Sequence, residues 1–327
     1  MARVCAGLAV AAAAAAMLVT VPSAGLADPT SIKDVQEKVQ GFYHEAEVAT
    51  EQYNGYQARM RDAERELKLT QDRVRNQQDR LNTLLSENSI FATLAYRNGG
   101  VDQTLQLFLS DDPRKFLEQA TTLDQLSAQQ AEALRQVQMA RQDLLAIRAQ
   151  AKQQIGEIEQ LQAAMDEKRD AIEARMRQAN ALLATLKAEQ RAFLRSTGSV
   201  IMPQSILENL PGGRAGEAIR FAIDQLGEPY VWGADGPSSW DCSGLTLRAY
   251  QAAGVTLPRT SAQQATVGIP VSKSNLLPGD LVFFYTPISH VGIYVGEGLM
   301  IHAPHPGDVV KVVSIDTMPL AAARRVG

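Results

Sequence analysis

Three residues in the last third of the chain could together carry out nucleophilic chemistry: Cys242, His290 and His302. A cysteine attacks as its thiolate, and a neighbouring imidazole can generate that thiolate when a further polar group orients it. The pattern predicts Cys242 as nucleophile, His290 as its base and His302 as the orienting group. Two other interpretations fit the same residues: Cys242 as a small buried core residue, and a zinc site made by the cysteine and both histidines.

The surroundings of Cys242 favour the nucleophile. Asp241 is typical of an N-cap, so Cys242 should lie in the first turn of a helix, where unpaired backbone N–H groups stabilise a thiolate. No CxxC or HxxxH spacing supports the zinc site, so neither a metal nor a cofactor is expected. The other two histidines should be unimportant, with His44 on a helix surface and His305 in a solvated loop.

The strand pattern brings the two histidines together. The strand predicted from His290 and the return strand ending at His302 are joined by a predicted three-residue turn, 296–298. That turn places Gly292 opposite His302, so the two imidazoles lie diagonally on one face of the sheet. A two-residue turn would move His302 to the other face.

The N-terminus indicates export. Residues 1–27 read as a signal peptide, with an alanine-rich apolar run followed by the cleavable pattern Gly25-Leu26-Ala27. Cleavage would remove Cys5 and leave Cys242 as the single thiol of a secreted protein in the cell envelope. The alternative is an uncleaved N-terminal anchor. The net charge of −4 gives no basic footprint for nucleic acid.

Residues 28–195 have the composition of long helices, interrupted near 98–113 by Gly-Gly and Asp-Pro. In the first predicted helix, mostly apolar residues recur every seven positions in two rows offset by three, the seam of a coiled coil, and the second predicted helix carries one firm row and a weaker partner row. This pattern predicts an all-α antiparallel hairpin, with a parallel dimer of long helices as the alternative. The rows are Ile32, Val39, Ala46, Tyr53, Met60, Leu67, Val74 and Leu81; Val35, Phe42, Ala49, Tyr56, Ala63, Thr70, Gln77, Leu84 and Phe91; and Val137, Leu144, Ala151, Ile158, Met165, Ile172, Ala179, Leu186 and Phe193.

The composition changes after a Gly- and Pro-containing linker, 196–212. Residues 213–327 form the predicted second domain, and five motifs occur in order within it. They are Tyr230-Val231-Trp232-Gly233, Asp241-Cys242-Ser243-Gly244, Leu257-Pro258-Arg259-Thr260-Ser261, Pro278-Gly279-Asp280-Leu281-Val282-Phe283-Phe284 and His290-Val291-Gly292-Ile293-Tyr294. Together they resemble the NlpC family of papain-like cell-wall peptidases.

The resemblance implies a papain-like α+β domain and a cysteine endopeptidase that cleaves peptidoglycan stem peptides between D-isoglutamate and the following diamino acid, meso-diaminopimelate. It assigns Cys242, His290 and His302 as a catalytic triad. Four further residues match positions that line the family's substrate groove: Tyr230, Asp241, Ser243 and Ser261. One departure is Ala234, where the family often has a second glycine.

The layout of signal, helical hairpin and peptidase domain resembles exported coiled-coil endopeptidases of the RipC and CwlO types. That resemblance implies a regulatory coiled coil that binds an FtsEX-type membrane ABC complex, through the segment from Gly99 to Pro113. The function would then be cell-wall remodelling or separation of daughter cells. Two alternatives are a catalytically inactive adaptor that activates another hydrolase, and an acyltransferase or amidase on a related core.

Overall fold

A computed structural model of the chain describes residues 32–97, 113–186, 188 and 199–327. Helix α1 (Ile32–Arg97) and helix α2 (Pro113–Ala184) pack along each other as an antiparallel hairpin, which confirms the predicted arrangement. The predicted signal peptide and the apolar segment between the helices lie outside the described residues. No helix within the described ranges is long and apolar enough to cross a membrane.

The predicted seam rows supply the contacts between α1 and α2. At one end of the hairpin, Val35 and Val39 cluster with Ala179 and Leu186. Near the other end, the buried cluster consists of Leu81, Ala140 and Leu144. Because low residue numbers in α1 meet high numbers in α2, the two helices run in opposite directions.

The second half of the chain is an α+β domain with one six-stranded antiparallel sheet. The strand order is β1-β6-β2-β3-β4-β5. Its helices are α3 (Gln204–Glu208), α4 (Gly213–Asp224), α5 (Cys242–Ala252) and α6 (Ser261–Gln264). Its strands are β1 (Ile269–Pro270), β2 (Leu281–Phe284), β3 (His290–Gly296), β4 (Leu299–His302), β5 (Lys311–Ser314) and β6 (Leu320–Arg325).

The sheet is covered on both faces, which explains why β2 is an unbroken apolar run. Ile219 of α4 and Leu245 of α5 pack with Ile293 on one face. Val282, Met300 and other residues form a smaller cluster on the opposite face. Helix α5 therefore lies against β3, and its N-terminus meets the strand that begins with His290.

The end of the predicted linker belongs to the packed domain. The Val200 N–H donates to the Val312 carbonyl oxygen at 2.9 Å. Ile206 is only 6% exposed and joins the main core, and Met202 and Leu210 pack against that core. A fragment that starts at residue 213 would therefore lack part of its own core.

We predict that Ile206→Ala destabilises a fragment of residues 199–327 by about 2–4 kcal/mol, because truncating a buried isoleucine loses transfer free energy and leaves a cavity. The measurement is urea unfolding followed by tryptophan fluorescence. The control is the neighbouring Leu207→Ala, whose side chain is 40% exposed. Equal unfolding midpoints for the two variants would contradict the packing of this segment.

Candidate active site

Cys242 is the first residue of α5, and Asp241 is its N-cap, as predicted. The Gly244 N–H donates to Asp241 Oδ1 at 2.7 Å. The same carboxylate is held by Arg259, whose Nη2 lies 2.5 Å from Asp241 Oδ2. The negative charge beside the thiol is therefore paired with a buried guanidinium.

The hairpin formed by β3 and β4 places the two histidines on one face of the sheet, as predicted. Its turn, however, differs from the predicted one. The tight turn has only two residues, Glu297 and Gly298, both with positive φ. A register shift between Tyr294 and Gly296 adds a residue to β3, so that Gly296, not Val295, pairs with Leu299. This bulge compensates for the shorter turn. Farther along, Ile293 pairs with Ile301, and the two histidines stay on one face.

His290 and His302 contact each other directly. His290 Nε2 and His302 Nδ1 are 2.7 Å apart in a hydrogen bond. Gly292 makes this approach possible, because a Cβ there would lie 3.3 Å from His302 Cβ and 2.8 Å from Met300 Sδ. Burial lowers the pKa of His302 well below its usual value, and His290 lowers it further. His302 is therefore neutral at neutral pH and is suited to orient its neighbour.

Two carboxylates from α1 reach into this site. Glu47 Oε1 is hydrogen-bonded to His290 Nδ1, the ring nitrogen that His302 leaves available. Glu51 accepts hydrogen bonds from the hydroxyls of Ser243 and Ser261, each at 2.6 Å, and from the Ser261 backbone N–H. The Cys242 thiol also points to Glu51 Oε1, at 3.8 Å. Two side chains of α1 therefore occupy the space beside Cys242 and His290.

In this arrangement the surroundings of Cys242 favour the protonated thiol over the reactive thiolate. Burial raises the pKa of Cys242 well above its usual value, and the carboxylates of Glu47 and Glu51 raise it further. The expectation that the helix start favours a thiolate is therefore wrong while α1 is docked. One coordinating atom each from Glu47, Cys242 and His290 lie within 4.8 Å of one another, so Glu47 lies close to both the Cys242 thiol and the His290 ring.

The zinc site considered from the sequence is not among the candidate metal groups of the described residues. The two groups found combine Cys242 with Glu47 and His290, or with Glu51 and Asp241. Each needs a carboxylate from α1. The remaining proposed ligand, His302, instead hydrogen-bonds His290 through Nδ1.

One face of α1 makes all of these contacts, and we call Tyr43, His44, Glu47, Glu51 and Asn54 the docking face of α1. Glu47, Glu51 and Asn54 follow His44 at steps of three or four residues, and Tyr43 precedes Glu47 by four, which places all five on one side of the helix. Asn54 Nδ2 donates to Asp241 Oδ2 at 3.0 Å, so the docking face reaches both the catalytic residues and the N-cap of α5.

Aromatic contacts extend this interface at both ends. Tyr43 stacks on His305 with ring centroids 3.8 Å apart, and the ring of His44 lies 3.9 Å from that of Tyr285. The predictions of a solvated His305 and a free His44 surface are therefore wrong. At the other end, Tyr53 meets Trp232 edge-on at 5.1 Å.

The remaining residues predicted to line the groove lie around the thiol. Tyr230 is 4% exposed, and its hydroxyl has no hydrogen-bond partner among the described residues. Burial raises its pKa well above the usual value, with a further contribution from Cys242. Asp241, Ser243 and Ser261 each accept or donate a hydrogen bond to the docking face. The predicted catalytic and groove residues are thus assembled in one place.

Four residues of the site were not among those predicted from the sequence: Glu47, Glu51, Asn54 and Arg259. The first three lie outside the apolar seam rows, where charged and polar residues usually face solvent. Arg259 was noted only within a motif. The one signal that could have been followed is the pair of aromatic rings at Tyr43 and His44, which are unusual on the polar side of a coiled coil.

Comparisons with known proteins agree on the C-terminal half of the chain. A model of the NlpC/P60 family matches residues 227–323. A probable endopeptidase of Mycobacterium tuberculosis (strain ATCC 25618 / H37Rv) is 45% identical over 115 residues, or 35% of this chain and 30% of that protein. A probable endopeptidase of Corynebacterium glutamicum (strain R) is 44% identical over 124 residues, or 38% of this chain and 59% of that protein. Each match therefore spans less than two thirds of the relative's own length.

Among solved structures, the NlpC/p60 domain of the peptidoglycan hydrolase SagA is 36% identical. The match covers 34% of this chain and 98% of that chain, with a TM-score of 0.33. The stretch matched by the family model contains Cys242, His290 and His302. Residues 227–323 of this chain are an NlpC/P60 domain.

Proposed function

We propose that the protein is a cysteine endopeptidase of peptidoglycan stem peptides, with Cys242 as nucleophile, His290 as base and His302 as the orienting residue. The observation that carries this proposal is the assembly of the three side chains beside a polar pocket at the N-terminus of α5. The names of the relatives, probable endopeptidases, support the reaction class. The role lies in remodelling of the cell wall, outside the cytoplasmic membrane.

The chemistry begins when the docking face of α1 leaves. His290 Nδ1 takes the thiol proton, and Cys242 Sγ attacks the carbonyl carbon of the stem peptide. The tetrahedral oxyanion is stabilised by N–H groups at the start of α5 and by the free Tyr230 hydroxyl. His290 then protonates the leaving amine, and a thioester remains on Cys242. Water, deprotonated by His290, hydrolyses that thioester and restores the thiol.

The pocket that holds Glu51 supports a substrate with a carboxylate beside the scissile bond. Two hydroxyls and one backbone N–H converge on a single carboxylate there, with Arg259 donating to Ser243 Oγ at 2.9 Å. The D-isoglutamyl–diamino acid bond has such a carboxylate, because D-isoglutamate is linked through its side chain and keeps its α-carboxylate. We therefore assign the cleaved bond to this linkage, with Ser243 and Ser261 as binding residues.

The contacts of α1 support a regulatory coiled coil. Substrate and the docking face of α1 use the same groups, so they cannot bind together. Glu47 also removes from His290 the nitrogen that must receive the thiol proton. The docked chain is thus the inactive form, and displacement of α1 switches on cleavage.

Release would come from a membrane partner of the FtsEX type, bound through the segment from Gly99 to Pro113. In the sequence this segment follows Arg97, the last residue of α1, and ends at Pro113, the first residue of α2; Arg97 is remote from the docking face along α1. A partner that pulls or bends this end would act on α1 through a continuous helix.

We predict that the fragment of residues 199–327 cleaves a stem peptide after D-isoglutamate, while Cys242→Ala in that fragment does not. The full chain should cleave more slowly than the fragment. Glu47→Ala with Glu51→Ala in the full chain should raise the rate by about tenfold or more, since several hydrogen bonds of about 1 kcal/mol each are lost. Mass spectrometry of the products measures both effects.

Glu64→Ala is the matched control, because it removes an exposed carboxylate from the same helix. Equal rates for the full chain and the fragment would overturn regulation by α1 and leave the peptidase intact. No cleavage by a folded fragment between about pH 5 and 8 in reductant would overturn the peptidase and favour the inactive adaptor.

We predict that docking of α1 weakens as pH rises. Burial raises the pKa of Glu51 from 4.5 to about 7 in the docked chain, and the Asp241 charge contributes. A raised pKa favours docking fully below 4.5, and this contribution is lost as pH rises through about 7. The emission of Trp232, which contacts Tyr53, should therefore shift to the red across this range.

Glu51→Gln should flatten this pH dependence, because the amide does not titrate. Trp232→Phe assigns the signal, since the chain has only one other tryptophan, Trp240, which is 2% exposed. An unchanged pH profile in Glu51→Gln would assign the transition to another group.

We predict that charged substitutions at Leu105 and Phe108 abolish recruitment by the membrane partner, because they replace apolar residues in the proposed binding segment. Co-purification with the outer portion of an FtsEX-type complex measures this. The same substitutions should leave cleavage by the full chain in the absence of the partner unchanged. Normal recruitment would exclude this segment as the binding site.

A further inference from the structure

We propose that the docked chain binds a zinc ion through Glu47, the thiolate of Cys242 and His290, and that the ion locks α1 onto the C-terminal domain. One ligand comes from the coiled coil and two come from the domain, so the complete site exists only while α1 is docked. Because the proposal concerns a binding site, it can be tested whether or not the protein cleaves stem peptides.

Three buried side chains of different chemistry converge at this point. One coordinating atom each from Glu47, Cys242 and His290 lies within 4.8 Å of the other two. Zinc bonds of about 2.0–2.3 Å hold tetrahedral ligand atoms roughly 3.3–3.8 Å apart. Small rotations of the side chains are therefore enough to bring the three atoms onto one ion.

The ring of His290 has the partners that a metal ligand needs. Its Nδ1 faces Glu47, and its Nε2 is hydrogen-bonded to His302 Nδ1 at 2.7 Å. A histidine that binds a metal almost always donates its other ring N–H to such a partner, which fixes the ring and its tautomer. With zinc on Nδ1, the Nε2–H would donate to His302. The ion would replace the proton between Glu47 and His290.

The charges around the thiol favour a divalent cation. Burial raises the pKa of Cys242, and three carboxylates raise it further. They belong to Glu47, Glu51 and Asp241. Arg259 is ion-paired with Asp241, and the other two carboxylates come from α1. A zinc ion would offset their charge and bind the sulfur as a thiolate, releasing the thiol proton to solvent without any transfer of electrons.

The ligand types select the metal. Thiolate and imidazole suit zinc, whereas Ca²⁺ and Mg²⁺ prefer oxygen ligands. With three protein ligands, a water completes the tetrahedron. Glu47 lines a cavity of about 510 Å³ between α1 and the sheet, which has room for that water.

An ion held by both parts of the chain shifts the balance between them. At about a hundred times its Kd, a ligand that binds only the docked chain raises the ratio of docked to undocked chain about a hundredfold. The same ion occupies Cys242 and His290 directly. Zinc therefore keeps the docked chain inactive, and its loss makes α1 easier to displace.

The test titrates the untagged full chain with Co²⁺, which takes tetrahedral ligand sets like those of zinc and reports them by absorption. We expect an equimolar end point, with a thiolate-to-cobalt charge-transfer band and the visible absorption of a tetrahedral ion. Cys242→Ser should abolish the charge-transfer band. Zinc should displace Co²⁺, and Mg²⁺ should not, because the site has only one oxygen ligand from the protein.

Glu47→Gln should weaken Co²⁺ binding by about a hundredfold or more, because losing even the hydrogen-bond partner of a ligand costs about tenfold to a hundredfold. Glu47→His supplies another zinc ligand at the same position and should restore much of the affinity. This rescue distinguishes a ligand from a residue that only holds α1 in place. The matched control is Glu45→Gln, which removes an exposed carboxylate of the same helix and should bind Co²⁺ like the wild type.

The emission of Trp232 reports the lock. Zinc should move the pH-dependent red shift of this emission to higher pH in the wild-type chain and not in Glu47→Gln. Zinc binding that leaves the emission profile unchanged would overturn the locking of α1.

Absence of equimolar Co²⁺ binding would overturn the site itself. A charge-transfer band of unchanged affinity in Glu47→Gln would do the same, since the ion would then bind without α1. Neither result bears on the proposed peptidase, which is judged separately by cleavage of stem peptides in the presence of a chelator.

Discussion

The burial of the Glu51 carboxylate in the catalytic pocket is the interaction on which the rest of this arrangement depends. A buried carboxylate is tolerated only where donors converge on it, and here Ser243 and Ser261 supply them. Those donors would otherwise face substrate. The contact that holds α1 in place therefore uses the same hydroxyls that the proposed substrate would need.

The coiled coil gives this contact its rigidity. From Tyr43 to Asn54 the docking face of α1 spans about 16 Å at 1.5 Å per residue, and an isolated helix of that length would be marginal in water. Helix α2 supports it from behind, where Ile172 packs against Ala46 and Ala49. Small residues at this point keep the two helices close. The seam thus fixes the orientation of the docking face of α1. The contacts with Cys242 and His290 are made by Glu47 and Glu51, which lie outside the seam.

The fold of the C-terminal domain and the positions of its site residues could be predicted from the sequence. The contact between α1 and that domain could not. Cys242 and the histidines were predictable, because N-cap chemistry and strand alternation are local signals. The turn was mispredicted, since a bulge at Gly296 restores the register lost by a shorter turn. Glu47 and Glu51 could not be found, because polar residues outside a heptad seam look alike whether they face water or a partner. Only the tertiary structure distinguishes the two.

The electrostatics of the docked state explain why such an interface can be reversible. Glu51 and Asp241 are both acidic, and their proximity raises the pKa of Glu51. Arg259 offsets one of these charges, because it pairs with Asp241 within the same domain. The buried charge of the other carboxylate, Glu51, opposes the docking of α1. Aromatic contacts and hydrogen bonds must therefore hold α1 against its own charge, as in the stacking of Tyr43 on His305 and the hydrogen bond from Asn54 to Asp241.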